Sequence, residues 1–330
     1  MEDRKKDHIN LAFESQTTKN DIDTRFWYEP MLSAHPKELT PFTFLKKQSN
    51  VPLWVSSMTG GTQLARTINT NLAKACHEFG FGMGLGSCRI ILKDKTYLPD
   101  FDMRDIIGDD LPFYANLGIC QVEDLVFGNQ YTIIEDLVKR LRTDGLIVHV
   151  NPMQEWFQPE GDRLNHPPLY TIQKLLEKAT FPIIVKEVGQ GFGPQSLLAL
   201  MKLPLAAIEF AAFGGTNFAK VELLRRPNAP EDLFEPLALV GVLAGDMLDE
   251  VNAIVRQNKD ILCKEIIISG GIKSFLDGYY FIKKSSIPAI YGQASSFLKY
   301  AKEDYAQLQQ YVQNQIKGLE MAYAYLNVRK

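Results

Sequence analysis

Eight short apolar runs punctuate the chain, at 51–57, 82–86, 112–116, 146–151, 182–187, 206–211, 265–269 and 288–292, most ending in Gly, Asn or a charged residue. Several are continuously apolar, as in Pro182-Ile183-Ile184-Val185, which suits strands covered on both faces. Between many of them apolar residues recur at helical spacing, over 62–79, 122–142, 169–178, 194–201, 233–256 and 275–284. Strands alternating with helices define an α/β class, and eight such units predict a closed (β/α)8 TIM barrel over an open doubly wound sheet. A short helix at 100–107 fits the weaker pattern between strands two and three. Residues 1–50 precede the first strand as an N-terminal extension. The tail after Ser295 carries Tyr305, Leu308, Tyr311, Val312, Ile316, Leu319, Met321 and Tyr325 and predicts a long closing helix. No low-complexity or Pro-rich linker divides the chain, so 1–330 reads as one barrel domain.

The 330 residues are 45% hydrophobic and 23% charged, ordinary for a globular chain and unlike a disordered or collagenous one. The net charge of −3 provides no global field to attract nucleic acid or an acidic membrane. Any anion must therefore be held by local positive charge. Cys76, Cys88, Cys120 and Cys263 form no C-x-x-C pair, which argues against structural zinc and for a reducing compartment. With no apolar segment at the N-terminus and no stretch of membrane-span length, the expected setting is the cytoplasm.

In a (β/α)8 barrel the chemistry lies at the C-terminal ends of the strands. Those ends carry Lys186, Asn116, His149 and Asn151 within otherwise apolar surroundings. A lysine there is costly to bury unless it meets an anion or loses its charge. Lys186 is thus a Schiff-base nucleophile, a salt-bridged structural residue, or the cation beside the N1–O2 edge of a reduced flavin. His149 and Asn151 are two apart and share a strand face, opposite Val148 and Val150; the valines suit the helix-packed side and turn the polar pair to the barrel mouth. Ser269-Gly270-Gly271 and Gly292-Gln293-Ala294 fall in loops seven and eight, where barrels of this class grip phosphate through backbone N–H groups. The chain has no Walker A sequence and no Gly-rich dinucleotide fingerprint, which disfavours an ATP site or a Rossmann domain.

The segment His149-Val-Asn-Pro-Met-Gln-Glu-Trp-Phe-Gln-Pro-Glu-Gly-Asp-Arg163 closely resembles the signature of the type II, FMN-dependent isopentenyl diphosphate isomerases. Arg4-Lys5-Lys6-Asp7-His8-Ile9, Ser57-Met-Thr-Gly-Gly61, Gly86-Ser87, Ala115-Asn-Leu-Gly118, Val185-Lys-Glu-Val-Gly189, Gly214-Gly-Thr-Asn-Phe218, Ser269-Gly-Gly271 and Phe297-Leu298-Lys299 follow in the family's order, from about residue 4 to 300. The resemblance implies an FMN barrel with flavin contacts from Ser57, Met58, Thr59, Ser87, Asn116, Lys186, Thr216, Gly270, Gly271, Gln293 and Ala294. It gives the substrate diphosphate to Arg4, Lys5, Ser87, Arg89 and Gln154, and Mg²⁺ to Glu155. His8, His149 and Asn151 line the substrate pocket, with His149, Asn151 and Gln154 as the catalytic set. It further implies FMN reduced by NADPH or NADH, a prenyl diphosphate substrate, and a homo-oligomer, tetramer or octamer. The run Gln158-Pro-Glu-Gly-Asp162 is expected to be a structured loop despite its two carboxylates. The chain departs from the family's pattern in the bulky segment Asp277–Ser286 and at Cys88 and Gln293, which bears on how the phosphate end of the flavin packs.

Two other functions compete. A flavin-dependent 2-hydroxy-acid oxidase would share the barrel and Lys186 but needs a His base late in the chain; the histidines are His8, His35, His77, His149 and His166, none after strand five. A non-catalytic flavin- or prenyl-diphosphate-binding relative would be expected to lack Gln154 or Glu155, and both are present.

Overall fold

The computed structural model describes residues 2–57, 63–226 and 233–329. Eight parallel strands close into a barrel: β1 (Leu53–Val55), β2 (Gly82–Gly84), β3 (Phe113–Gly118), β4 (Gly145–His149), β5 (Ile183–Lys186), β6 (Ala207–Glu209), β7 (Ile266–Ser269) and β8 (Ala289–Gln293). Each of the eight predicted runs overlaps a strand, and the three strands that extend beyond their runs do so by at most two residues. Side chains alternate between two cores, as strand geometry requires. Trp54, Tyr114, Ile147, Ile184, Ala207, Ile267 and Ile290 fill the interior. Leu53, Phe113, Leu146, Val148, Ile183, Val185, Ile266 and Ile268 pack outward under the helices. This double burial is why the strands read as continuous apolar runs.

Three predicted helices are interrupted. The stretch 122–142 is two helices, Ile119–Phe127 and Tyr131–Arg140, separated by Gly128 and by Asn129 at φ 56°, the left-handed conformation that ends helices. Within 233–256 the helices are Glu235–Ala238 and Ala244–Gln257. Between them Val242 leaves the helical path, donating its N–H to Gln190 O (2.8 Å) and accepting from Phe213 N (2.9 Å). The closing segment is Ser295–Ala301 followed by Tyr305–Tyr325, restarted by Asp304, whose carboxylate caps Ala306 N.

Residues before β1 divide into two parts. The strand Phe26–Tyr28 pairs antiparallel with Leu326–Val328 and clasps the two chain ends together. The hairpin Phe42–Phe44/Lys47–Ser49 inserts Phe44 and Leu45 into the interior core. Its turn holds Leu45 and Lys46 at φ 50° and 62°, the pair of positive values a two-residue hairpin needs. Leu45 N donates to Glu265 Oε2 (2.9 Å). This hairpin plugs the end of the barrel opposite the strand C-termini. Residues 3–24, by contrast, are exposed throughout.

Candidate active site

One step beyond the apolar interior layer, the inward positions turn polar: Ser56, Asn116, His149, Lys186, Glu209 and Ser269, with Gly84 and Gly292 on the remaining strands. Register lines several of them up. Gly118 pairs with His149, His149 with Lys186, and Lys186 with Glu209. The sequence expectation that His149 faces the barrel mouth and Val148 and Val150 face the helices is met.

Asn116 Nδ2 donates to Leu85 O (3.0 Å), which leaves its oxygen facing His149 Nδ1 at 2.7 Å. The histidine proton therefore sits on Nδ1 and Nε2 is an acceptor. Burial, then the charges of Lys186 and Arg89, lower the His149 pKa to about 3, so the ring is neutral in ordinary buffers. The unfolded ring would titrate near 6.5 and take up protons that the folded ring refuses. Stability is therefore expected to fall as pH drops from about 6.5 toward about 3. In denaturant titrations the stability difference between wild type and His149→Gln should shrink between pH 7 and 5; a pH-independent difference would show that His149 titrates normally.

Lys186 is buried, and its Nζ donates to Glu187 O (2.7 Å). Burial pushes its pKa down, while Glu209 and Glu187 pull it up. Glu209 is fully buried; Oε1 accepts from Ser269 Oγ (3.2 Å) and Oε2 has no partner. Ser269 Oγ also accepts from Ala211 N (2.9 Å), and Ala211 is held at φ 42°, an unfavourable value for a residue with a Cβ. At Gly270, φ is +89° and a Cβ would lie 2.1 Å from Ala212 O, so only glycine fits that turn.

Above the mouth, Asn151 ends the strand path and begins the helix Pro152–Phe157. Its Nδ2 donates to Gln154 Oε1 (3.1 Å) and to Glu155 Oε1 (3.0 Å). Gln154 Nε2 donates onward to Glu222 Oε1 (3.1 Å), and Arg225 Nη1 donates to Glu222 Oε2 (2.5 Å). A small apolar cluster of Phe157, Ala219, Leu223 and Ala238 joins this helix to Phe218–Leu224 and so delivers Glu222 to Gln154. Glu155 is buried, and its Oε2 accepts from Asp162 N (2.9 Å). The run Gln158–Asp162 is the expected structured turn. At Gly161 a Cβ would be 2.0 Å from Glu155 O, so glycine lets the chain return to the carboxylate. Each Glu155 oxygen accepts one bond and keeps a free lone pair.

A cavity of about 470 Å³ opens at the mouth, lined among others by Ser57, Lys186, Glu209, Thr216, Gly270, Gly271, Gln293 and Ala294. Like Glu209 Oε2, the hydroxyls of Ser56, Ser57 and Ser87 and Asn151 Oδ1 are buried without a hydrogen-bond partner among the described residues. Buried polar atoms normally have partners, and this set fits a polar ligand at the barrel mouth. No three His, Cys, Asp or Glu side chains converge as a metal cage among the described residues. One carboxylate with free lone pairs fits Mg²⁺ arriving on a diphosphate.

The structure thus brings Ser57, Ser87, Asn116, His149, Asn151, Gln154, Glu155, Lys186, Thr216, Gly270, Gly271, Gln293 and Ala294 to the strand C-termini. Arg89 is there too, exposed at the start of the helix Arg89–Lys93. Met58 and Thr59 lie outside the described residues. Arg4, Lys5 and His8 stand apart from this group on the exposed helix Glu2–Leu11. The Gln293 side chain is committed at both ends within the protein, to Ile272 O and Tyr311. Three charged residues at the site were not singled out from sequence: Glu209, Glu222 and Lys273, the last lining the cavity. Glu209 carries the same signal as Lys186, a charge at an apolar strand end.

Isopentenyl-diphosphate delta-isomerases of Rickettsia felis and Rickettsia africae are 33% and 32% identical to the chain over 324 residues, covering 97% of it and 91% and 92% of their own lengths. The chain belongs to the isopentenyl-diphosphate delta-isomerase family. It is thereby an isomerase by family. No family model matches it. Among solved structures, a mandelate oxidase mutant with an FMN adduct superposes with a TM-score of 0.55 at 13% identity, over 92% of this chain and 88% of that one. A flavocytochrome b2 mutant with benzoylformate gives a TM-score of 0.62 at 13% identity, over 92% and 76%. At that identity the likeness is one of fold, a closed barrel shared by an isomerase family and by oxidases. No helix among the described residues is long and apolar enough to cross a membrane.

Proposed function

We propose that this protein interconverts isopentenyl and dimethylallyl diphosphate, using reduced FMN and Mg²⁺, with no net redox change. The observation that carries the reading is the hydrogen-bonded Asn151–Gln154–Glu155 cluster, with Asn151 and Glu155 buried, at the same strand-end face as the Lys186 cavity, in a chain of this family. Moving the double bond by protonation passes through a tertiary carbocation, and an ordinary side-chain acid is poorly matched to an unactivated alkene at neutral pH. The reduced flavin would supply the proton-carrying, electron-rich surface for that chemistry. Lys186 offers its edge a fixed cation, and the Ser56, Ser57 and Ser87 hydroxyls offer hydrogen bonds. The two Gly-rich loops present backbone to the phosphate.

Glu155 would hold Mg²⁺, which would supply counter-charge for the substrate diphosphate, and Arg89 would add to that charge. Neutral His149, fixed by Asn116, lines the pocket without adding a second cation beside the carbocation. Gln154 links the pocket to Glu222, whose charge is balanced by Arg225. NADPH or NADH is the reductant in this reading, and the enzyme is a cytoplasmic homo-oligomer. The direct test is activation by dithionite under anaerobic conditions: product should form without a nicotinamide. A requirement for one NADH consumed per product would replace the isomerase with an oxidoreductase.

The same reading gives the exposed helix Glu2–Leu11 a role as a lid. Arg4, Lys5 and His8 would fold over the diphosphate and exclude water from the cation. Deleting residues 1–8 is expected to leave the flavin spectrum and Tm unchanged. It should lower kcat/KM about tenfold, the effect of one charge-assisted contact. Wild-type kinetics in the truncated enzyme would return these residues to a solvated basic helix.

A further inference from the structure

Gln293, the last residue of β8, lies between the two Gly-rich loops and is 3% exposed. It is the end member of a row of hydrogen bonds running in from the closing helix. Tyr291 OH donates to Gln315 Oε1 (3.2 Å), and Gln315 Nε2 donates to Tyr311 OH (2.8 Å). Tyr311 OH donates to Gln293 Oε1 (2.8 Å), and Gln293 Nε2 donates to Ile272 O (3.2 Å). Every donor points the same way, so each amide orientation is fixed by its neighbour, and such rows reinforce one another when buried. The Tyr311 ring is itself held, stacked on Tyr300 at 4.7 Å and edge-on to Phe297 at 5.8 Å.

The position of the last acceptor gives the row its consequence. Ile272 directly follows Gly270 and Gly271, and Gln293 directly precedes Ala294; all five line or flank the phosphate end of the cavity. The Gln293 amide is therefore a cross-tie between loop seven and loop eight, and its orientation is set by Tyr311 and Gln315 from Tyr305–Tyr325. In loop seven the tie takes up a carbonyl, Ile272 O, and not an N–H donor of the kind that meets an anion. A glycine pair at positive φ, as at Gly270 and Gly271, has little stiffness of its own, so an external tie is what would hold it at one spacing.

We propose that Tyr311 and Gln315 are positioning residues for the cofactor: through Gln293 they fix the separation of the two loops that grip the flavin's phosphate. This rests on the FMN reading above. The tie acts at the phosphate end, so it should matter for FMN and not for riboflavin, which has the same ring and no phosphate.

The test is titration of the apoprotein with FMN and with riboflavin, following flavin fluorescence, for wild type, Tyr311→Phe and Gln293→Met. Tyr311→Phe strands Gln293 Oε1 without a donor and Gln293→Met removes the tie. Each should weaken FMN about tenfold, the scale of one buried hydrogen bond, and leave riboflavin within about twofold. The double variant should be no worse for FMN than Gln293→Met alone, since both act along one path. A wild-type preference for FMN over riboflavin that survives in both variants overturns the proposal, as does an equal loss for both flavins, which would mark the row as general core structure. If Tyr311→Phe fails to fold, Gln293→Met and Gln315→Leu carry the same comparison. Wild-type protein that binds neither flavin defeats the cofactor reading itself, and the tie falls with it.

Discussion

Replacing Lys186 with glutamine is expected to lower kcat/KM about a thousandfold, the upper end of what one preorganised charge contributes in a water-poor site. Glutamine keeps most of the length and can still donate to Glu187 O, the partner Lys186 has at 2.7 Å. What it removes is the cation lining the cavity proposed to hold the flavin. The substitution also takes away the ammonium group that neighbours the buried Glu209 in register. The midpoint potential of the bound flavin should fall, because a cation that favours the reduced anionic ring has gone. Both quantities can be measured on one preparation. Near-wild-type turnover with an unshifted potential would make Lys186 a structural half of an ion pair and nothing more.

Glu155→Gln is expected to lower kcat/KM at least about a hundredfold by removing the carboxylate proposed to hold Mg²⁺. The change is nearly isosteric, yet the wild-type carboxylate accepts from Asn151 Nδ2 and from Asp162 N. An amide can accept only on its oxygen side, so one of those donors loses its partner. The loss should appear as a higher Mg²⁺ requirement and weaker diphosphate binding, with FMN retained. Gln154→Asn next door should behave differently. It withdraws from Glu222 Oε1, which Gln154 Nε2 reaches at 3.1 Å, and should lower kcat more than it raises KM. Equal loss of flavin from both variants would mean that this helix is scaffold and that neither role is right.

The barrel was legible because each strand is buried on both faces. Short continuous apolar runs such as Ile183–Val185 follow directly from that geometry. Helix breaks were less legible. Gly128-Asn129 carried a stop signal within a pattern whose helical periodicity ran on to 142. The break at 239–243 comes from pairing with Gln190 and Phe213, residues remote in sequence.

The site divides in the same way. Lys186, Asn116 and His149 stood out as polar groups at apolar strand ends, and Glu209 carried the same signal. Glu222 had none: it sits in a helix, and only the packing of Phe157 on Ala219 and Leu223 brings it to Gln154. The roles given to Arg4, Lys5 and His8 came from family resemblance alone, and an exposed helix gives no contact from which to read them. Gln293 was made a flavin contact by the family resemblance, whereas its side chain is engaged by Tyr311, eighteen residues on.

Isomerisation run in D₂O with pre-reduced FMN, Mg²⁺ and isopentenyl diphosphate tests the central claim most directly. Protonation of the terminal alkene carbon followed by loss of a proton from C2 should give dimethylallyl diphosphate with solvent deuterium in a methyl group. The flavin should be as reduced at the end as at the start. Product free of deuterium, or one flavin oxidised for each product formed, would contradict the account.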